Sequence, residues 1–174
     1  MATTSSISSS LIMIDNDLRK ISIPTSIRHL GVESDDGVLR LYFSMPKMCG
    51  DTDLSDFSIR INYLNAKGEG DVYIVDDATS GAGVILFSWL VGRNATEYKG
   101  TVSFIVCLKK LNEDGTVDKE FNTTVASLPV LEGLETNKLI VEQNPDLPDL
   151  IESLLIKVQK TIDERLGFIE NGTY

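Results

Sequence analysis

The feature that most constrains the fold is a pair of apolar runs between Val84 and Leu111, which a short polar connector separates. In the second run every other residue is apolar, and this period of two indicates a β-strand with one buried face. That face consists of Val102, Phe104, Val106 and Leu108. The first run, residues 84–91, is mostly apolar on both faces and predicts a buried strand with the only tryptophan, Trp89, in the core. We expect the two runs to be the central strands of a β domain, joined by one helical turn that Asn94 caps, with Glu97 three residues later.

Further strands are predicted on both sides of this pair, at the spacing of about 8–12 residues that is typical of β-sandwiches and barrels. The predicted strands cover residues 11–14, 18–23, 38–45, 57–64, 71–76, 84–91, 102–111 and 117–125, with a short last one over 129–134. Turn residues separate them, for example Asp15-Asn16-Asp17 in a first hairpin and Pro46 after the third strand. We predict an all-β fold: an antiparallel β-sandwich of about eight strands over residues 11–134, preceded by a flexible tail over residues 1–10.

The period of the apolar residues changes between positions 147 and 169, after a polar linker over residues 135–146. Apolar residues there recur at steps of three and four, which is the spacing of an amphipathic α-helix. They are Ile151, Leu155, Val158, Ile162, Leu166 and Ile169. Pro148 suits the first turn of such a helix. We therefore predict a C-terminal amphipathic helix over residues 147–169, with residues 170–174 as a short tail.

This helix is the part of the chain that needs a partner, because an isolated amphipathic helix is marginally stable in water. Two surfaces could cover its apolar stripe: the β domain and the same stripe on other copies of the chain. The polar linker favours a helix that projects away from the β domain. We therefore predict a homo-oligomer in which the six apolar residues form the interface of a parallel coiled coil.

The charge of the chain excludes several classes of partner. Its 26 acidic and 16 basic residues give a formal net charge of -10, which repels nucleic acid phosphates and anionic membrane surfaces. No apolar run approaches the roughly 20 residues of a membrane-spanning helix. The N-terminal MATTSSISSS carries no basic residue and no long apolar region follows it, so we predict no secretory signal, a cytosolic site of synthesis and reduced cysteines.

Few residues suggest catalysis or metal binding. The only histidine, His29, has no serine or cysteine motif beside it, so a structural or solvated role is the favoured interpretation. The loop with Asp51, Asp53 and Asp56 has the spacing of a calcium site but lacks the glycine and distal glutamate of an EF-hand. A solvated loop is the favoured interpretation here too. We predict that the chain is not an enzyme and binds neither a cofactor nor a metal.

Several strand and turn segments are similar to those of a known protein family. They are Gly31-Val32-Glu33-Ser34-Asp35, Arg40-Leu41-Tyr42-Phe43, Ile61-Asn62-Tyr63 with Ala66 and Gly68, Phe87-Ser88-Trp89-Leu90, Gly100-Thr101-Val102-Ser103-Phe104, Asn122-Thr123-Thr124 and Leu131-Glu132-Gly133-Leu134. Together with the acidic β domain, the polar linker and the helix, they resemble the N-terminal region of the baseplate upper protein family of siphophages and prophages of Gram-positive bacteria. The resemblance covers about residues 18–160.

This resemblance implies a β-sandwich that docks onto the phage tail and a helical region that trimerises to present receptor-binding proteins. Because the sequence continues for only five residues after Ile169, a scaffold or adaptor role is expected rather than direct host recognition. The expected protein is therefore a structural component of the tail or baseplate of a virion, made in the bacterial host cytoplasm. Its expected partners are other copies of itself, as a trimer, and other tail or baseplate proteins.

The residues alone leave a second class of function possible, which is glycan binding. A carbohydrate-binding or adhesion module would use exposed aromatic rings as stacking platforms for a cell-surface glycan, and Tyr42, Tyr73 and Tyr98 are the candidates. An enzyme that acts through carboxylates is a third class, which the missing motifs argue against.

Overall fold

The computed structural model describes residues 10–134 and 154–163, and the chain divides into two units, Met1–Gly133 and Leu134–Tyr174. The described part of the first unit contains twelve strands: β1 (Leu11–Asp15), β2 (Lys20–Ser22), β3 (Arg40–Pro46), β4 (Met48–Cys49), β5 (Thr52–Asp53), β6 (Ser58–Leu64), β7 (Gly70–Ile74), β8 (Thr79–Gly81), β9 (Val84–Leu90), β10 (Gly100–Leu111), β11 (Val117–Asn122) and β12 (Ala126–Val130). One helical turn, α1 (Arg93–Thr96), lies between β9 and β10. The mostly β character that the sequence predicts is confirmed.

The first sheet has five strands in the order β2-β1-β3-β9-β8. The predicted hairpin of β1 and β2 is confirmed by antiparallel pairing of Ile14 with Ile21. The prediction of a purely antiparallel arrangement is wrong, because β1 and β3 run parallel, with Ile12 opposite Phe43. A parallel pair needs a long connection, and the stretch between β2 and β3 supplies it.

The second sheet is built around the long strand β10, which contacts three neighbours. β6 pairs along one side of it, with Val106 opposite Ile61. On the other side β12 pairs with the first half of β10 and β11 with the second half, so that Val102 lies opposite Leu128 and Leu108 opposite Phe121. β7 pairs with β6 and forms one edge of this sheet.

The two strands expected to be central, β9 and β10, therefore lie in different sheets. A period of two identifies the buried face of a strand but not its neighbour, and the connector with α1 carries the chain from one sheet to the other. Three short strands lie in stretches where the sequence has no strand pattern. β4 and β5 form a separate two-stranded sheet, and β8 pairs with β9 at the edge of the first sheet.

The two sheets share one hydrophobic core, in which five aromatic rings meet, including the stacked pair Phe43 and Phe87. The side chain of Trp89 is only 1% exposed, so its predicted place in the core is confirmed. Its ring centroid lies 5.3 Å from that of Phe104 and 5.3 Å from that of Tyr63, both in the second sheet. Phe43 of the first sheet meets Phe104 edge-on at 6.4 Å. Such aromatic pairs contribute roughly 0.5–1.5 kcal/mol each beyond the burial of their area.

In the second unit, residues 154–163 form a helix. They include three of the six residues predicted to form an oligomer interface, whereas Ile151, Leu166 and Ile169 lie outside the described residues. The predicted linker over residues 135–146 and the tail over residues 170–174 also lie outside them, so these domain limits stay predictions. Neither helical stretch of the described part combines the length and the apolar character that crossing a membrane requires.

Candidate functional site

The helix of the second unit presents an apolar stripe, which we call the helix stripe: Leu155, Val158 and Ile162. These side chains are 65%, 57% and 46% exposed, respectively. Steps of three and four residues place them on one face of the helix. An exposed row of large aliphatic side chains on a single helix is the type of surface that other proteins, or other copies, cover.

Two polar side chains of the same helix donate hydrogen bonds within it. The Gln159 Nε2 donates a hydrogen bond to the Asp163 Oδ1 at 2.9 Å, and the Thr161 hydroxyl donates to the Lys157 carbonyl oxygen at 2.9 Å. Both bonds join residues four apart, the spacing at which helix side chains meet the preceding turn. Every described residue of this helix is exposed, the helix stripe as well as Leu154 and Ile156 beside it.

A second exposed apolar surface lies on the outer face of the second sheet. A shallow groove of about 550 Å³ runs across β6, β7 and β10 there, and we call it the β6–β7 groove. Its side chains include Asn62, Leu64, Val72, Ser103, Ile105 and Val125. Beside these apolar groups, the buried Asn62 Oδ1 and the nearby Arg60 Nε have no hydrogen-bond partner among the described residues. The lining of the β6–β7 groove is therefore mostly apolar, and the Asn62 Oδ1 within it has no hydrogen-bond partner among the described residues.

A polar pocket of about 430 Å³ opens where β7 approaches the end of β9 and α1. We call it the Asp71 pocket. Its lining includes Asp36, Tyr63, Asp71, Tyr73, Arg93 and Asn94. The residues come from four separated parts of the chain, so sequence reasoning did not find this site.

The Asp71 carboxylate is the fixed point of this pocket. Its Oδ2 accepts hydrogen bonds from the Asn94 Nδ2 at 2.7 Å and from the Tyr63 hydroxyl at 2.9 Å, and its Oδ1 accepts one from the Val72 N–H at 2.8 Å. These bonds, that of Asn94 first, lower the pKa of Asp71. Burial, and then the bond to Asp71, raise the pKa of the Tyr63 hydroxyl well above its usual range. The carboxylate is thus held ionised and the phenol neutral.

The role predicted for Asn94 is wrong. Gly92, not Asn94, occupies the N-cap position of α1, and no side chain caps the turn. The Asn94 amide points to Asp71 on β7 instead. A cap pattern in the sequence shows only that an amide group is available to form a hydrogen bond. Here the Asn94 amide donates that hydrogen bond to a carboxylate on strand β7 and not to the helical turn.

The three tyrosines named as glycan platforms lie in different surroundings. Tyr42 is on β3 of the first sheet beside a small apolar cavity, whereas Tyr73 lines the Asp71 pocket. The Lys67 Nζ sits 3.7 Å from the centre of the Tyr98 ring and covers it, and the Tyr98 hydroxyl donates to Glu97. The structure therefore does not bring the three rings together, and Tyr73 is the one that lines the Asp71 pocket.

The two residue groups considered for catalysis or metal binding have local partners. The His29 Nδ1 accepts a hydrogen bond from the Gly31 N–H at 3.1 Å. Asp53 accepts bonds from the Ser55 hydroxyl and N–H and pairs with Lys47 at 3.2 Å, and these contacts lower its pKa to about 2. Among residues 10–134 and 154–163, no group of three or more histidine, cysteine or acidic side chains is arranged to hold a metal ion.

One polar network on the first sheet could not be predicted from the sequence. The buried Ser88 hydroxyl donates to the Asp77 carboxylate and accepts a hydrogen bond from the Arg40 guanidinium at 2.7 Å. The Asp77 Oδ1 also accepts the Ser88 N–H at 3.0 Å. This network ties the connection after β7 to β9. It contains a serine and a carboxylate but no histidine or lysine base beside the hydroxyl, so its arrangement fits a structural role.

Comparison with known proteins yields no match, either to a family model or to a curated protein. Support for a function therefore comes from the helix stripe, from the surfaces of the β domain and from the resemblance of the strand and turn segments.

Proposed function

We propose that the chain is a structural protein of a phage or prophage virion, located in the tail or baseplate, where it acts as a scaffold or adaptor. In this proposal the first unit is a β-sandwich docking domain and the amphipathic helix joins three copies into a trimer. The chain is then not an enzyme and needs no cofactor. The single observation that carries the assembly part is the exposure of the helix stripe.

Burial of the helix stripe supplies the free energy for this assembly. Complete burial of an aliphatic side chain contributes about 1.5–3 kcal/mol relative to full exposure. Leu155, Val158 and Ile162 are still 46–65% exposed, so roughly half of that contribution per residue remains available to an association. Helix formation by itself is marginal at this length, which is why association and helix stability are expected to be coupled.

The resemblance supplies the virion part of the proposal. The residues that carry it, such as Phe87-Ser88-Trp89-Leu90, form strand β9 and contribute to the core of the first unit. A small, rigid β domain followed by a self-associating helix suits a component that repeats around the axis of a tail, because a closed ring of identical copies needs the same contact in each copy.

Multi-angle light scattering on the full chain tests the assembly. We expect a trimer for the natural sequence and a monomer for the variant Leu155→Ala/Val158→Ala/Ile162→Ala, since alanine keeps helix propensity but removes most of the stripe. The control Lys157→Ala changes the same helix outside the stripe and should stay trimeric. A monomeric natural chain at about 0.1 mM would overturn the assembly proposal.

Peptide mass spectrometry of purified particles tests the virion role. After induction of a host that carries the gene, we expect peptides of this chain in the tail fraction, at a fixed ratio to other tail proteins. Their absence from intact particles, with the chain present in the lysate, would count against a tail or baseplate location.

A second candidate function is glycan binding. The observation that favours it is the group of polar side chains around Tyr73 in the Asp71 pocket.

A further inference from the structure

We propose that the Asp71 pocket binds one neutral sugar residue of a glycan. The inference rests on the second candidate function, glycan binding, and is separate from the assembly role, because every residue of the pocket belongs to the first unit and none to the helix of the second unit. The pocket has about 430 Å³, within the range of about 300–1,000 Å³ that is usual for small-molecule sites.

The polar groups around the pocket offer both donors and acceptors. The Asp36 carboxylate accepts one hydrogen bond through its Oδ1, from the Arg93 N–H at 3.0 Å, so its Oδ2 can accept another. The Asn94 amide uses its Nδ2 on Asp71 and keeps its carbonyl oxygen as an acceptor. The exposed guanidinium of Arg93, which is in no salt bridge of the described residues, adds donors in a planar fork.

This combination fits the hydroxyl groups of a sugar. Each hydroxyl is both a donor and an acceptor, so adjacent hydroxyls on a ring can bond a carboxylate and a guanidinium or amide at the same time. A ligand with only donors or only acceptors would leave part of this set unpaired, and unpaired polar groups at a closed contact cost affinity.

The pocket also has an apolar wall. The half-buried Tyr73 and the half-buried Leu90 line it, beside the polar groups. An aromatic ring next to hydrogen-bonding groups suits a ligand that has an apolar face and a polar rim, as a sugar ring has.

Charge selects against acidic sugars. Two carboxylates, Asp36 and Asp71, face the pocket with one guanidinium, on a chain with a net charge of -10. The hydrogen bonds to Asp71 hold its carboxylate in place, so it contributes a fixed negative charge. A sugar that bears a carboxylate, sulfate or phosphate would meet repulsion, whereas a neutral hexose or N-acetylhexosamine would not.

Saturation-transfer NMR on the full chain tests the proposal. The probes are maltotetraose, galactobiose and the β-1,4-linked tetramer of N-acetylglucosamine, with glucuronic acid as the acidic comparison. We expect one neutral probe to bind with a dissociation constant of about 1 mM or tighter and the acidic sugar to bind more weakly. Failure of every neutral probe to bind at about ten times that concentration would overturn the inference.

Two variants test the location of the site. Arg93→Ala removes an exposed side chain and should weaken binding roughly tenfold while it leaves thermal unfolding unchanged. Tyr73→Leu should weaken binding to a similar extent by removal of the aromatic wall. The matched control Tyr42→Leu changes a tyrosine of the other sheet and should bind as the natural chain does. Binding that survives both pocket variants, or that is lost in Tyr42→Leu, would contradict this location.

Discussion

The indole ring of Trp89 and the phenyl ring of Phe104 meet between the two sheets, with their centroids 5.3 Å apart and their planes inclined at 61°. Trp89 belongs to β9 and Phe104 to β10, the two strands that the sequence singles out. They are not neighbours in one sheet, and they contact each other through their side chains across the core. This contact therefore joins the two halves of the β domain.

Replacement of Trp89 should destabilise the β domain severely. Because its side chain is fully buried, Trp89→Ala leaves a large cavity and should lower the free energy of unfolding by about 3–5 kcal/mol. Urea unfolding followed by circular dichroism measures this, since the variant lacks the only tryptophan. Tyr42→Ala, which removes an exposed ring from the same sheet, is the control and should change the value by less than about 1 kcal/mol. Equal effects of the two variants would contradict the assigned core.

The hydroxyl of Tyr63 should make the domain sensitive to alkali. Its pKa is raised in the folded state, by burial first and by Asp71 second, so folding favours the neutral phenol. This stabilisation is complete below the ordinary tyrosine pKa of about 10 and is lost as the pH rises above it. We expect the urea midpoint of the natural chain to fall between neutral pH and about pH 11, and to fall less in Tyr63→Phe.

The comparison with Tyr42→Phe isolates this effect. Tyr42 is exposed, so its replacement should leave the alkaline decrease of the natural chain intact. At neutral pH, Tyr63→Phe should cost about 0.5–1.5 kcal/mol through loss of the hydrogen bond to Asp71. Parallel pH profiles for the natural chain and Tyr63→Phe would show that another group causes the alkaline loss.

The buried faces of the main strands could be predicted from the sequence, because alternation is a local property. In the strand predicted over residues 57–64, for example, the alternation places Phe57, Ile59, Ile61 and Tyr63 on one face, and all four are buried. The same holds for the alternating face of β10. Strand pairing is not local, since it depends on which apolar faces meet in the core, and so the separation of β9 from β10 could not be predicted.

The same difference between local patterns and distant contacts decides which candidate site could be predicted from the sequence. Leu155, Val158 and Ile162 follow from a periodic pattern within one helix, and the structure finds them exposed on that helix. The Asp71 pocket depends on a contact between Asp71 and Asn94, which are 23 residues apart. No short motif encodes such a contact, and the local pattern around Asn94 suggested a helix cap instead.

The glycine at position 31 should tolerate no side chain. Its φ of +129° is a conformation that other residues rarely adopt, and an added Cβ would lie 2.9 Å from the Asp35 Oδ2. That oxygen accepts the Val32 N–H at 2.8 Å, so a shift of Asp35 would also break this bond. We expect Gly31→Ala to lower the melting temperature, with a cost of about 1–3 kcal/mol. Gly81→Ala, at a glycine with open space around it, is the control and should be nearly neutral.

The helix content of the chain should depend on its concentration, because the helix stripe gains a partner only when copies associate. A helix of this length is marginal alone, so the helical circular dichroism signal should rise as dilute chains assemble, while the β signal stays constant. The variant Leu155→Ala/Val158→Ala/Ile162→Ala should show little change with concentration, although alanine is the better helix former. Lys157→Ala should behave as the natural chain does. A helical signal that is independent of concentration in the natural chain, across the range in which light scattering finds monomers and larger species, would separate helix formation from assembly and contradict the proposed role of the stripe.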